Sequence, residues 1–175
     1  MLIEFINLKP ESAEAFNNRF LALKELGRFD EAMADLNKAI ALDPTYPEAH
    51  WNKALQLLLF GEFEEGWPLF KWRWKTKQHI GTELTTSKPQ WLGEANKRVF
   101  LWAEQGIGDE IMYASLIPEL AASSSKLIVQ CDERLIPLFK RSFIDGIEYR
   151  CRKSPAPEDS YDCHIPMGSL PNIFR

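Results

Sequence analysis

Residues 8–27, LKPESAEAFNNRFLALKELG, recur as residues 42–61, LDPTYPEAHWNKALQLLLFG. Proline stands at position 10 and again at position 44, so the shift is 44 minus 10, or 34 residues. Identical residues occupy these pairs of positions: Glu14 and Glu48, Ala15 and Ala49, Asn18 and Asn52, Leu21 and Leu55, Leu23 and Leu57, Gly27 and Gly61, Phe29 and Phe63, and Glu31 and Glu65. Such a period indicates a repeat protein, in which each unit buries its apolar face only by stacking on a neighbour.

Each copy predicts a helical hairpin. Residues 13–26 and 47–60 carry apolar side chains at helical spacing, and Gly27 and Gly61 end these helices before a second one begins. The chain resembles tetratricopeptide (TPR) repeats in a set of spaced residues: Gly27, Phe29, Ala32, Leu36, Ala39 and Pro44. In the second copy Gly66 and Arg73 replace the two alanines and Pro68 follows, which predicts that the array ends there.

The end of the array, GEFEEGWPLFKWRWKTK over residues 61–77, is rich in tryptophan and in cations. The tryptophans could stack on bases while the cations hold phosphates. The simpler interpretation is that the cations complement a helix dipole and the tryptophans cap the array or dock the next domain. We expect this capping or docking role.

Composition excludes several classes of function. The 175 residues are 45% hydrophobic and carry 21 basic and 25 acidic side chains, a net charge of −4, so nucleic acid is not an expected partner. Three cysteines without a CxxC pair favour neither a disulfide framework nor a zinc site. A signal sequence and a membrane span are both missing from the printed sequence, so a cytoplasmic location is expected.

The pattern changes after the array. We predict TPR repeats over residues 1–77, a linker rich in threonine, serine and proline over 78–96, and an α/β domain over 97–175. Predicted strands and helices alternate in this order: strand 98–103, helix 109–122, strand 126–131, helix 135–143, strand 146–150 and strand 161–165. This alternation predicts a parallel, Rossmann-like sheet with its ligand site beyond the carboxyl ends of the strands.

The predicted ligand edge contains the turn EQGIGDEI, residues 104–111. It is not a dinucleotide fingerprint, because position 111 is isoleucine where GxGxxG needs a small residue. Glu104, Asp109 and Glu110 crowd this turn and suit a hydroxyl better than a phosphate. Asp109 can act there as a general base or can merely cap its helix.

Several motifs resemble bacterial proteins that join TPR repeats to a glycosyltransferase-like domain: GEFEEGWPLFKWRW, WLGE, WAEQGIGDEI, CDERLIPLFKRSF and MGSLP. The α/β part resembles the N-terminal half of a GT-B glycosyltransferase of the heptosyltransferase type. The resemblance implies that Asp109 is the catalytic base of the complete protein. The candidate substrate-binding residues, taken from their positions at the predicted ligand edge, are Gln105, Gly106, Gly108, Glu110 and His164.

The same resemblance implies a nucleotide sugar as donor substrate, with no cofactor and no metal. In GT-B enzymes a second Rossmann-like domain holds the donor. The sheet stops early here, so we expect the chain to be a fragment of a longer protein and to be inactive alone.

Two functions remain open. The first is a fragment of a TPR-containing glycosyltransferase, with a repeat array that recruits a protein or peptide on its concave face and an α/β part that frames the sugar acceptor. The second is a non-catalytic interaction module. An open-ended array and an unfinished sheet also predict self-association.

Overall fold

The computed structural model describes residues 11–79, 82–154 and 156–175. The chain forms two compact units that divide between Gly81 and Thr82. The first unit is helical and the second is a parallel sheet with helices, which confirms the predicted fold class. None of the described helices has the length and apolar character needed to cross a membrane.

The described residues of the first unit form two helical hairpins. Its helices are α1 (Ala13–Glu25), α2 (Phe29–Leu42), α3 (Pro47–Leu59) and α4 (Phe63–Phe70), followed by a 3₁₀-helix (Lys71–Lys75). The predicted first helices of both repeats agree with α1 and α3 to within one residue. Helix α1 begins at a serine cap, because Ser12 Oγ accepts the N–H of Ala15 at 3.2 Å.

The turn inside each hairpin has the same geometry in both repeats. Gly27 and Gly61 have φ angles of 71° and 81°, a left-handed conformation that glycine adopts without steric cost. The next residue then bonds back across the turn: Arg28 N–H donates to Leu23 O, and Glu62 N–H donates to Leu57 O, both at 2.9 Å. These bonds satisfy carbonyl groups at the helix ends that would otherwise lack partners.

The core of the array is built on small residues, as predicted. Ala32 and Ala39 of α2 have no exposed surface and belong to one cluster with Phe16, Phe20 and Leu36. A buried ion pair joins the helices of the first hairpin, since Arg19 Nε and Nη2 donate to the two carboxylate oxygens of Asp35 at 2.6 and 2.5 Å. The bidentate geometry of this pair fixes how α1 lies against α2.

Gly66 occupies the position that Ala32 has in the first repeat. A Cβ atom at Gly66 would lie 2.7 Å from Leu58 Cδ2 and 2.8 Å from Leu58 Cγ, so Leu58 fills the space of a methyl group. We expect Gly66→Ala to lower the free energy of unfolding by about 1 kcal/mol despite the better helix propensity of alanine. Adding Leu58→Ala should relieve that clash; equal urea midpoints for Gly66→Ala and the unmodified chain would contradict the prediction.

Gln56 of α3 is a buried amide without a partner. Its side chain is 1% exposed, and neither its oxygen nor its nitrogen bonds to any residue that the structure describes. Removing a buried unpaired polar group is favourable, so Gln56→Met should raise the free energy of unfolding by about 1–2 kcal/mol. Thermal unfolding measures this. Gln56→Asn, which keeps the amide, is the control, and a lower melting temperature for Gln56→Met would contradict the prediction.

The end of the array buries one of its cations. Arg73 is 1% exposed, with its guanidinium carbon 4.3 Å from the ring centre of Trp74 and 4.7 Å from that of Phe70. Trp72 stacks on His50 at 4.0 Å, while Lys75 Nζ lies 4.4 Å from the Trp72 ring centre. These aromatic rings are engaged within the array, as the capping interpretation predicts.

The second unit is a parallel sheet whose strands follow the predicted order along the chain. The strands are β1 (Arg98–Trp102), β2 (Lys126–Cys131), β3 (Glu148–Cys151) and β4 (Cys163–Pro166), and their order across the sheet is β3-β2-β1-β4. All three strand pairs are parallel, with Phe100 of β1 opposite Ile128 of β2 and His164 of β4. Short 3₁₀-helices span Glu158–Ser160 and Met167–Ser169.

Four helices of this unit lie in the described residues: α5 (Ile107–Ala114), α6 (Ile117–Ser123), α7 (Ile136–Ser142) and α8 (Pro171–Phe174). The prediction of one helix over residues 109–122 was wrong, because two helices occupy that range. Pro118 lies in the first turn of α6, where its missing N–H costs nothing, whereas inside a continuous helix it would remove a hydrogen bond.

The segment before β1 packs on the outer edge of the sheet. His164 N–H donates to Pro89 O at 3.1 Å, and Trp91 N–H donates to His164 O at 2.8 Å. Trp91 is 1% exposed, and its Nε1 donates to Glu94 O at 2.8 Å. Residues 89–91 fall within the predicted linker, yet they supply a core side chain of this unit and cover part of the β4 edge.

Two surface carboxylates make the second unit sensitive to acid. The side-chain hydrogen bond from Arg98 lowers the pKa of Asp162 to about 2, and hydrogen bonds led by that from Ser87 lower the pKa of Glu158 to about 2. Groups with lowered pKa values stabilise the fold above their ordinary pKa of about 4 and lose that contribution as pH falls towards 2. We expect stability to decline across this window, measured by urea unfolding at stepped pH.

Replacing both groups provides the control for this acid sensitivity. The double variant Asp162→Asn, Glu158→Gln cannot titrate at either position, so its stability should fall less between about pH 4 and pH 2. Parallel curves for the two proteins would contradict the prediction.

Candidate functional site

The candidate site lies at the carboxyl ends of β1 and β4. The chain leaves β1 towards β2 on one side, and it returns after β3 to form β4 on the other side, so the strand order reverses beside β1. Ligands of open α/β sheets bind at such a reversal. The loops after the two strands meet here, since Gly168 N–H donates to Glu104 Oε1 at 2.8 Å.

Asp109 lies in the first turn of α5, the helix that follows β1 at this strand-order reversal. Its Oδ2 accepts the N–H of Gly106, the residue before the helix, at 3.1 Å. The structure therefore shows that Asp109, the third residue of the helix, makes the capping contact that was one of its two predicted roles. The side chain is half-exposed, and Oδ1 accepts no hydrogen bond from the part of the chain that the structure describes. One carboxylate oxygen is thus held in place by the backbone of the turn.

The glycines of the turn leave its surface open. Gly108 is exposed, and a Cβ atom there would meet nothing within 4 Å. Next to it, Ile111 and Met112 of α5 are 51% and 55% exposed, so the outer face of this helix is apolar beside the carboxylate. A ligand at the turn would contact both the backbone and this apolar surface.

Glu110 points away from the open surface, although it was predicted among the substrate-binding residues. It is 2% exposed, accepts the N–H of Asp132 at 2.7 Å and forms an ion pair with Arg152 at 2.5 Å. Arg152 Nη2 also donates to the carbonyl oxygen of Gln105. Through these contacts Glu110 joins the loops after β1, β2 and β3, which gives it the role of positioning the turn.

Gln105 and Asp132 also lie at the predicted edge. Gln105 is half-exposed, and the contact given above involves its backbone rather than its side chain. Asp132 accepts from Arg134 Nε and Nη2, both at 2.9 Å, and this pairing holds the pKa of its carboxyl well below the ordinary value. Asp132 therefore stays ionised and engaged with Arg134.

His164 lies in β4, next to the β1 residue Trp102. Trp102 Nε1 donates to His164 Nδ1 at 3.0 Å, so Nδ1 is the unprotonated nitrogen of the ring. Burial lowers the pKa of His164, which keeps the ring neutral at pH 7 with its proton on Nε2. A ligand contact from this histidine would therefore be a donated hydrogen bond from Nε2.

Cys131 and Cys163 are buried, and their surroundings disfavour the reactive thiolate. Burial raises the pKa of the Cys131 thiol to about 12 and that of Cys163 to about 11. Thiols in this state carry little thiolate at neutral pH. Within the described ranges, no group of three or more His, Cys, Asp or Glu side chains could hold a metal ion.

Sequence reasoning missed Arg152 and Trp102 as parts of this site, and it included Gly168 only within residues 164–169 at the predicted edge. The third strand was predicted to end at Arg150, whereas β3 ends at Cys151 and places Arg152 at the ligand edge. A longer third strand would have drawn attention to it. The contacts of Trp102 and Gly168 join positions 62 and 64 residues apart, and no local pattern signals such pairs.

Comparison with known proteins identifies the repeats. A family model described as TPR repeat matches residues 21–58. Protein FlbA of Caulobacter vibrioides is 30% identical over 149 residues, which are 80% of this chain and 25% of FlbA. A match of that length extends beyond the repeats into the α/β unit. The chain thus contains TPR repeats and spans a quarter of the length of FlbA.

Solved structures also resemble the chain. The TPR2B domain of yeast Sti1, in its complex with pHsp70, has a TM-score of 0.40 at 32% identity, covering 45% of this chain and 63% of that one. An O-GlcNAc transferase mutant from Thermobaculum terrenum has a TM-score of 0.41 at 12% identity, covering 84% of this chain and 36% of that one.

Proposed function

We propose that the chain is part of a longer glycosyltransferase-like protein, in which the TPR array binds a protein or peptide and the α/β unit forms the acceptor side of a GT-B cleft. The observation that carries this proposal is the placement of Asp109. Its carboxylate lies in the first turn of the helix that follows β1, at the strand-order reversal, with Oδ2 bonded to the N–H of Gly106 and Oδ1 accepting no hydrogen bond from the described residues.

This arrangement suits a general base. An acceptor hydroxyl bound at the turn would donate its proton to Asp109 Oδ1 while its oxygen attacks the anomeric carbon of a nucleotide sugar. The new C–O bond replaces the bond from the anomeric carbon to the leaving phosphate, and a nucleoside diphosphate departs. The apolar face formed by Ile111 and Met112 would pack against the acceptor.

The sugar donor needs a second domain, by the resemblance to GT-B enzymes. The test therefore uses the complete protein that contains this segment. It is incubated with UDP-, GDP-, ADP- and dTDP-sugars, and release of the nucleoside diphosphate is measured together with sugar incorporated into protein or glycan. We expect release with one donor. If a folded protein releases a nucleoside diphosphate from none of these donors, the result would count against transferase activity.

The alternative is a non-catalytic interaction module. The contacts of Asp109 with Gly106 and of Glu110 with Arg152 favour it, because a turn that serves only structure needs the same bonds. Under this alternative the array binds its partner as before, but Asp109→Asn changes no activity of the complete protein. Calorimetric titration with the candidate nucleotide sugars separates the two, since only the transferase should bind a donor.

A further inference from the structure

The first helices of the two repeats expose matching rows of side chains. On α1 the residues at spacing i, i+4, i+7 and i+11 are Glu14, Asn18, Leu21 and Glu25, and all four are exposed. On α3 the equivalent residues are Glu48, Asn52, Leu55 and Leu59, of which the two leucines are exposed and Glu48 and Asn52 are half-buried. This spacing places each set along one face of its helix. We call these eight residues the repeated stripe.

The two rows lie side by side. Asn52 Nδ2 donates to Asn17 Oδ1 at 2.8 Å, which joins α3 to α1 at the level of the stripe. Helices in contact have axes about 8–10 Å apart, so one peptide segment can touch both rows. The repeated stripe is therefore a continuous surface across two repeats.

The leucines of the stripe differ from the other repeated leucines. Leu23 and Leu57 also recur at the period of 34, and they are 7% and 8% exposed, as residues kept for packing should be. Leu21 and Leu55 are 45% and 39% exposed at equivalent positions. Packing within the described residues does not account for an exposed leucine at the same place in both repeats, so a binding role is the better explanation.

The charge of the stripe indicates which charge its partner should carry. Its charged members are the carboxylates of Glu14, Glu25 and Glu48, and none of its positions holds lysine or arginine. Two of the nearby cations bond to α2: Arg19 to Asp35, and Lys53 Nζ to Asn37 Oδ1 at 2.8 Å. Lys24 lies beside the stripe on α1, and Glu48 Oε1 accepts the backbone N–H of Lys77 at 3.3 Å, so carboxylates still outnumber cations on this surface. The surface combines apolar side chains with negative charge.

We propose that the repeated stripe binds a peptide segment in which apolar side chains are flanked by lysine or arginine. The apolar side chains pack between Leu21 and Leu55, and the cations pair with Glu14 and Glu48. This inference rests on the proposed protein-binding function of the array and adds the chemistry of the partner. An acidic peptide is disfavoured by the same carboxylates, which gives the site its selectivity.

The test measures fluorescence anisotropy with three labelled peptides of about twelve residues in a glycine-serine background. The first carries two leucines flanked by lysines, the second has glutamate for lysine, and the third has serine for leucine. We expect the first to bind at least about tenfold more tightly than either of the others. Equal affinity for the first two peptides would overturn the proposal.

Variants then locate the binding surface. The pair Leu21→Ser, Leu55→Ser should weaken the first peptide about tenfold, the effect of one lost leucine anchor. The control pair Leu26→Ser, Leu92→Ser changes leucines that are 70% and 73% exposed elsewhere and should change nothing. A second double variant, Glu14→Gln with Glu48→Gln, should weaken peptide binding and reduce its dependence on salt concentration. Its control for net charge is the double variant Glu64→Gln with Glu65→Gln on α4. Equal losses for stripe and control variants would overturn the proposal.

Two further outcomes distinguish a failure of this inference from a failure of the proposed protein-binding function on which it rests. If random peptides selected on the intact chain are not basic, or bind independently of the stripe, the inference fails while the interaction function stands. If selection yields no peptide at all, both fail. Sedimentation detects a second copy on the stripe: a dimer that Leu21→Ser, Leu55→Ser dissociates, without any effect on peptide binding, would overturn the proposal.

Discussion

Arg152→Ala is expected to lower the free energy of unfolding of the α/β unit by about 3 kcal/mol. The change leaves Glu110, which is 2% exposed, as a buried carboxylate without its ion-pair partner. Removing one member of a buried pair costs about 3–5 kcal/mol, and the 40% exposure of the Arg152 side chain places this case at the lower end. The carbonyl oxygen of Gln105 loses a donor as well, so the turn before α5 should loosen.

Urea unfolding followed by far-ultraviolet circular dichroism measures this loss. Arg134→Ala is the matched control, because it breaks a pair with Asp132 in which the arginine side chain is 71% exposed, and it should cost less than about 1 kcal/mol. Adding Glu110→Gln to Arg152→Ala removes the uncompensated charge and should restore part of the stability. Equal losses for Arg152→Ala and Arg134→Ala would show that Glu110 does not depend on its partner.

Asp109→Asn is expected to slow sugar transfer by the complete protein about a hundredfold or more, the usual contribution of a general base. The substitution suits this test because the amide oxygen of asparagine can still accept the N–H of Gly106. Stability should therefore change little while the proton acceptor is lost. The measurement is the initial rate of nucleoside diphosphate release at saturating donor and acceptor.

Asp132→Asn is the control for this prediction. Asp132 lies at the end of β2 and is bonded to Arg134, so its replacement changes a carboxylate at the same edge of the sheet but away from the reversal. We expect its effect on rate to be within about threefold. A rate for Asp109→Asn equal to that of Asp132→Asn would remove Asp109 from the mechanism and favour the non-catalytic alternative.

The repeats were predictable because their signals are local. Gly27 and Gly61 mark turns that need positive φ, and Ala32 marks a close helix contact, so each conclusion depends on neighbours within one hairpin. The second repeat limits this reasoning. Gly66 looks like a loss of pattern in the sequence, whereas the structure shows that Leu58 occupies the space that a methyl group would need.

The site was predictable only as a set of positions. Strand and helix alternation placed Asp109 and His164 at or near the carboxyl ends of parallel strands, because in a parallel sheet those ends share one edge. The directions of the side chains were not predictable. Asp109 and Glu110 are adjacent carboxylates in one helical turn, yet the first is half-exposed and the second is buried against Arg152.

Periodicity and turn residues act over a few neighbours, so the sequence is sufficient to predict a helical array of 34-residue period followed by a parallel α/β unit. The strand order β3-β2-β1-β4, the burial of Arg73 and Glu110 and the exposure of Leu21 and Leu55 follow instead from tertiary contacts. These features depend on contacts between residues far apart in the chain. The free energy of each contact depends on the identity of both residues, which a local sequence pattern does not reveal.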